Sequence, residues 1–338
     1  MPDGFSTERG YRTLAPQEVR SSDREFAYEV LTGLSERPRR LPSRYFYDDE
    51  GSRLFSKIMG CADYYPTACE REILEAHRGD IADAVAAESL HVVDLGAGDG
   101  SKTFILLEHL KRRSVDFRYV PIDISGGALT SLAARCKERL PQMEVEGIAA
   151  EYTDGLEHLA QAHGDRRNLV LFLGSNIGNF NRARSRAFLR RMWTALNPGD
   201  LLLIGFDLKK DIEVLLRAYN DREGITARFN LNLLSRINRE LGGHFNPDNF
   251  RHFGTYDVFS GAMESYLVSL EQQNVAIDAM QLAFDFEPWE PIHTEYSYKY
   301  LRSDVTALAR DTGFAIEAEF LDEKKWFLDS LWRVQKVR

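Results

Sequence analysis

The sequence predicts an α/β fold: a doubly wound, mostly parallel sheet that ends in an antiparallel hairpin, joined to a second α+β domain formed by an insertion. Three observations carry this expectation. Short β-branched runs alternate with helical stretches between residues 91 and 206. After Asp207 the alternation stops for about 90 residues, far longer than a βα connection in a compact domain. The last two extended segments are separated only by Asp322-Glu323-Lys324-Lys325, so they can pair only as a hairpin.

Strands are expected at 91–95, 118–122, 144–148, 169–173 and 201–206, because each is a short apolar run bounded by turn residues. The helices between them are expected at 102–112, 127–139 and 182–196, the last stopped by Asn197-Pro198-Gly199. The insertion opens with helical patterns at 211–219 and 231–241 and continues with alternating segments at 263–270 and 280–286. A helix at 303–312 and strands at 315–321 and 326–335 close the chain. The insertion after Asp207 is therefore expected to form a second domain.

At 338 residues the chain can bury two modest cores. Its 43% hydrophobic and 28% charged residues are ordinary for a globular protein. The net charge of −9 would repel a phosphate backbone, so nucleic acid is not an expected partner. Cys61, Cys69 and Cys136 form no CxxC pair and are odd in number, which argues against a zinc cluster or a disulfide framework. With no apolar run of membrane-spanning length, a soluble cytoplasmic monomer acting on a small molecule is expected.

The first strand runs into Asp94-Leu95-Gly96-Ala97-Gly98-Asp99-Gly100. A dinucleotide GxGxxG motif needs glycine at 101, where Ser101 stands. Alternating glycines admit a close ligand and positive φ. Asp94 ahead of them suits an ammonium and would repel a pyrophosphate, which favours S-adenosylmethionine over a nicotinamide cofactor. Asp123, ending the next strand, can accept ribose hydroxyls; the alternative is that it caps the following helix. Glu151 and Tyr152 after the third strand can meet the adenine amino group and ring face. Gly174-Ser175-Asn176-Ile177-Gly178-Asn179 follows the fourth strand, where amides would face the transferred group, and lacks the prolines of base methyltransferases. A parallel sheet closed by a hairpin is the class I methyltransferase layout. A non-catalytic cofactor binder remains the alternative from another class.

Several further stretches together resemble the histidine Nα-methyltransferases of ergothioneine biosynthesis. They are Arg44-Tyr45-Phe46-Tyr47-Asp48, Gly51-Ser52-Arg53-Leu54-Phe55, Asp63-Tyr64-Tyr65-Pro66-Thr67, Ser101-Lys102-Thr103 after the glycine turn, Phe172 to Asn179, Arg217-Ala218-Tyr219-Asn220-Asp221, Phe229-Asn230-Leu231-Asn232 and Glu295-Tyr296-Ser297. The resemblance implies that the N-terminal segment joins the insertion, so that 1–68 with 207–298 form a substrate-binding α+β domain and 69–206 with 299–338 a class I methyltransferase domain that binds S-adenosylmethionine. It also implies that Asn179 and Tyr219 hold a substrate carboxylate, that Tyr47 hydrogen-bonds the α-amine, and that Tyr64, Glu295 and Ser297 line an imidazole pocket. On the cofactor side it implies Gly96, Lys102, Asp123, Glu151 and Tyr152, to which the glycine turn adds Asp94 and Gly98. The implied reaction is S-adenosylmethionine-dependent methylation of free histidine to its trimethyl betaine; fungal relatives that methylate tryptophan or a modified tryptophan give the alternative. The chain departs from the pattern at Asn176, where threonine is expected, at Glu151, where aspartate is expected, and at Ser265, which replaces a methionine near the side-chain pocket. Phe46, Phe55 and Tyr65 are expected to be core.

Overall fold

The computed structural model describes residues 5–6, 11–13, 19–85, 89–162 and 166–336. In chain order these form β1 (Phe5–Ser6), β2 (Tyr11–Thr13), α1 (Val19–Ser35), β3 (Arg39–Arg40), α2 (Asp49–Met59) and α3 (Tyr65–Ala84). An alternating run follows: β4 (Leu90–Leu95), α4 (Thr103–Arg112), β5 (Phe117–Asp123), α5 (Gly126–Arg139), β6 (Glu144–Val145), β7 (Gly147–Ala149), α6 (Tyr152–Ala162), β8 (Arg167–Phe172), α7 (Arg182–Ala195) and β9 (Leu201–Asp207). Then come α8 (Ile212–Tyr219), α9 (Ile225–Leu241), β10 (Phe250–Asp257), β11 (Ala262–Ser269), β12 (Gln273–Ile277), β13 (Leu282–Phe286), β14 (Pro291–Tyr298), α10 (Arg302–Thr312), β15 (Phe314–Leu321) and β16 (Phe327–Val334). No helix among the described residues is long and apolar enough to cross a membrane.

The chain divides into two compact units. One contains Pro66–Lys209 and Tyr298–Arg338 with the two N-terminal strands; the other contains Pro16–Tyr65 and Lys210–Ser297.

The first unit is built on a ten-stranded sheet of order β1-β2-β7-β5-β4-β8-β9-β16-β15, with β6 beside β5. β5, β4, β8 and β9 run parallel, and β16 lies antiparallel between β9 and β15. Every residue of β4 and β9 is buried, as expected for parallel strands covered on both faces. Their core includes Val93, Val120, Val170, Phe172, Leu202, Ile204 and Trp332. Strand order reverses at β4, so the carboxyl ends of β4 and β8 form the topological switch point, where ligands of open α/β sheets bind.

Two expectations need correction in this unit. The strand expected at 144–148 is split at Glu146, whose N–H donates to Tyr119 O at 2.9 Å, so β6 and β7 pair with different parts of β5. The first residues were also expected in the substrate domain. Instead β1 and β2 extend the main sheet, with β2 running parallel to β7 from Tyr11 opposite Gly147, because β7 leaves its outer edge open to pairing.

In the second unit α1, α2 and α9 share a core with a four-stranded sheet of order β10-β11-β14-β3 and a separate β12–β13 hairpin. Along α9, Phe229, Leu233, Ile237 and Leu241 recur every fourth residue and are buried. This helix starts six residues before the expected 231, because the Asp221 carboxylate accepts the N–H groups of Ile225 and Thr226, each at 2.8 Å. β10 and β12 were not foreseen; the burial of β10 does not alternate, so no period-2 pattern marks it.

Candidate active site

The glycine turn sits at the switch point, between β4 and α4. Gly96, Gly98 and Gly100 have φ of 71°, 53° and 67°, conformations that side chains rarely adopt. A Cβ on Gly96 would lie 2.8 Å from Tyr152 Oη and 3.4 Å from Asn176 Nδ2, so the cradle must be bare there. The Gly98 N–H donates to Asp123 Oδ2 at 3.2 Å, which ties the turn to the end of β5. Asp123 Oδ1 accepts the Ser125 N–H at 2.9 Å, and Ser125 itself caps α5 by accepting from Ala128 N. Asp123 is therefore not the helix cap. Burial raises its pKa against these N–H bonds, as befits a carboxylate held at a crevice.

Asp94 lies on β4, just ahead of the turn. Its carboxylate is 2% exposed and accepts from Thr103 Oγ1 at 2.6 Å and Tyr119 Oη at 2.8 Å. Burial pushes its pKa up to about 6, opposed by those two hydroxyls. Both hydroxyls bond the same oxygen, Oδ2, which joins β4 to α4 and β5 beneath the turn.

Tyr152 opens α6 and packs edge-on against Phe172, with ring centroids 5.5 Å apart. Burial raises the pKa of its hydroxyl, so it stays a neutral phenol. Glu151, just before it, is exposed. Lys102 Nζ donates to Glu70 Oε2, and a Cβ on Gly174 would lie 3.3 Å from that Nζ. The turn after β8 is held open by Ser175, at φ 56°, whose Oγ accepts the Asp207 N–H at 3.0 Å. Within it Asn176 reaches the glycine turn, whereas Asn179 is half-buried at the turn's end. A Cβ on Gly178 would meet Tyr298 O at 2.9 Å, which keeps this turn glycine-rich. Bare backbone at Gly96, an aromatic beside it, an acid at the end of β5 and an ammonium at the start of α4 suit S-adenosylmethionine, which carries an adenine, a ribose and an amino-acid carboxylate.

In the second unit the remaining motif residues gather. Tyr219, at the end of α8, donates its hydroxyl to Ser297 Oγ on β14 at 2.6 Å, and both are buried. Tyr219 is fixed by its own backbone: its carbonyl accepts from His252 Nε2 at 2.9 Å, and the Asn220 amide exchanges two bonds with the Gly254 backbone. Glu295 is half-buried two residues from Ser297 along the strand. Tyr47 meets Phe55 and Phe229 edge-on at 5.5 and 5.7 Å, and Phe55 meets Tyr64 at 6.4 Å. Phe46 is fully buried against Phe229. Tyr65 is buried and its hydroxyl accepts from Lys210 Nζ at 2.9 Å.

Several motif residues prove to be scaffolding. Asp48 caps α2 by accepting the Gly51 N–H at 2.7 Å and also accepts Asn232 Nδ2 at 2.8 Å. Asn230 Oδ1 accepts from Thr294 Oγ1 at 2.9 Å, which joins α9 to β14. Ser265 is 1% exposed, and among the described residues its hydroxyl has no hydrogen-bond partner. The residue that sequence reasoning missed is Glu70, which binds Lys102 and accepts the Gly174 N–H at 2.7 Å. Its signal was an acid in line with the buried stripe of Ile73, Leu74 and Ile81 on α3.

A family model described as histidine-specific methyltransferase, SAM-dependent, matches residues 26–334. The chain is 36% identical over 301 residues to the histidine N-alpha-methyltransferase of Mycobacterium tuberculosis, covering 89% of this chain and 90% of that protein. The corresponding protein of Mycolicibacterium smegmatis matches with the same identity and coverage. A 4-dimethylallyltryptophan N-methyltransferase of Penicillium roqueforti is 28% identical over 313 residues, covering 89% of each chain. With that cradle at its switch point and a match along nearly its whole length, the chain belongs to the histidine-specific methyltransferase family and is an S-adenosylmethionine-dependent enzyme.

Proposed function

We propose that this enzyme methylates the α-amino group of free L-histidine and continues to the trimethylated betaine, the reaction that opens ergothioneine biosynthesis. The observation that carries the reading is the buried Tyr219–Ser297 hydroxyl pair, with Glu295 on the same strand. The similarity to two histidine N-alpha-methyltransferases over 89% of the chain supports it.

S-adenosylmethionine supplies a methyl group on a sulfonium that is its own leaving group. The chain must then present a neutral amine in line with that methyl. An α-amino group titrates near 8, so orientation matters more than a strong base. Tyr47 would accept from or donate to the α-nitrogen, and Asn179 and Tyr219 would hold the carboxylate. Tyr64, Glu295 and Ser297 would receive the imidazole, with Glu295 accepting a ring N–H. An analogue without that N–H would leave a desolvated carboxylate unpaired, which discriminates strongly. The Tyr47, Phe55, Tyr64 and Phe229 rings give a growing cationic ammonium favourable faces without demanding hydrogen bonds. On the cofactor side Gly96, Gly98, Lys102, Asp123, Glu151 and Tyr152 would bind, with Asp94 bracing the turn.

The second reading is α-N-methylation of tryptophan or a modified tryptophan, favoured by one observation: Ser265 puts a small, unpaired side chain where the family resemblance calls for methionine. Incubation with labelled methyl donor and a panel of free amino acids separates the two. Label is expected on histidine ahead of every other amino acid; faster labelling of tryptophan would overturn the Glu295 and Ser297 assignments.

A further inference from the structure

Beneath the cofactor cradle lies a buried acidic pair. Glu70, on α3, has no exposed side-chain surface and spends both carboxylate oxygens, one on the Lys102 ammonium and one on the Gly174 N–H. Those partners belong to the segments that follow β4 and β8, so a single side chain ties both halves of the switch point. The carboxylate lies on the sheet over Gly205, where any Cβ would fall on Glu70 Oε1. Directly opposite Gly205 in the β9–β16 register is Asp329. Residues opposite one another in an antiparallel pair point to the same face with Cβ positions about 5 Å apart. The Asp329 carboxyl is therefore on the Glu70 side of the sheet and close to it.

Asp329 is fully buried, and among the described residues neither of its oxygens has a hydrogen-bond partner. The charged groups that face it are Glu70 from α3 and Lys102 from the start of α4; its register partners, Gly205 on β9 and Phe320 on β15, are uncharged. One ammonium cannot neutralise two carboxylates in a dry interior. We propose that Glu70 is a positioning residue, fixing the Lys102 ammonium and the Gly174 turn together for the cofactor, and that the neighbouring Asp329 holds the one proton this pair retains. Burial and the neighbouring Glu70 charge both raise the Asp329 pKa, in keeping with that assignment. The geometry leaves Lys102 with one fixed counter-charge and a side chain that is not fully buried.

The inference rests on the reading that Lys102 contacts the cofactor, and a double-mutant cycle separates the two. Binding of S-adenosylhomocysteine is measured by calorimetric titration in the parent, Glu70→Gln, Lys102→Met and the double variant. Glu70→Gln is expected to raise the Kd about tenfold in the parent and to change it less than about twofold in the Lys102→Met background. A Glu70→Gln loss equal in both backgrounds, or no loss in the parent, overturns the positioning role while leaving the Lys102 reading standing. An unchanged Kd in Lys102→Met overturns the reading and the inference with it. If Glu70→Gln alone folds poorly, Glu70→Asp, which keeps the charge but shortens its reach, takes the same place in the cycle with the same expected outcomes. For Asp329, infrared spectra of protein carrying carboxyl-labelled aspartate are expected to show a protonated-acid carbonyl band at pH 7 that Asp329→Asn removes. Absence of that band in the parent overturns the proton assignment.

Discussion

At Gly96 the backbone is positive in φ and the space beside it is already filled by a phenol oxygen. Gly96→Ala must push Tyr152 aside in a conformation that alanine resists, so S-adenosylhomocysteine affinity should fall by about tenfold or more in a calorimetric titration. At Tyr219 the hydroxyl is the donor to a buried serine. Tyr219→Phe leaves Ser297 without it, at a cost of about 1 kcal/mol, so the KM for histidine should rise about fivefold in steady-state assays while kcat changes little. An equal fall in kcat with KM unchanged would place that hydroxyl in the transition state instead. Lys102 was named only by the family resemblance; the left-handed turn at Gly96 and the place of Asp123 at a strand's end were legible in the sequence, because both stand where an apolar run stops. The true setting of Asp94 was not, since its partner Tyr119 lies on the neighbouring strand and only the fold brings the two together. Glu70 escaped for the same reason: its partners lie 32 and 104 residues away.

Among the elements, the joint between β4, β5 and α4 depends on one buried carboxyl. The folded Asp94 has a pKa near 6, above that of an unfolded aspartate near 3.9, so the folded state holds its proton more tightly. The sign follows from linkage: this group lowers stability as pH climbs from about 4 to about 6 and contributes a constant cost above that. Asp94→Asn, which keeps an acceptor for Thr103 and Tyr119, should therefore gain melting temperature relative to the parent across that window and run parallel to it at higher pH. A difference independent of pH would show that Asp94 is not the titrating group. Elements with a clear period were legible: β4, β9, α7 and the closing β15–β16 hairpin lie close to their expected bounds. The start of α9 was not, because Asp221 caps it from outside the apolar stripe. Nor was the break at Glu146, which a single backbone bond to a neighbouring strand imposes.

On the scale of the whole molecule, the long interruption after β9 marked the second compact unit, and the apolar patterning of the insertion pointed to both helices and strands. The N-terminal strands were misassigned because two and three residues carry no periodicity, and their pairing with β7 depends on an edge that only the assembled sheet exposes. The two units supply different chemistry. One offers bare glycine backbone with an acid, an ammonium and a phenol around it; the other offers paired hydroxyls, a half-buried glutamate and an aromatic cluster. On the proposed reading the first set holds a sulfonium donor and the second a free amino acid whose α-nitrogen gains one methyl at each round. Fragmentation mass spectrometry of histidine incubated with the enzyme and S-adenosylmethionine tests this most directly: three methyl groups, all on the α-nitrogen, are predicted, whereas a methyl on the imidazole ring or unmodified histidine at full turnover of another amino acid would contradict it.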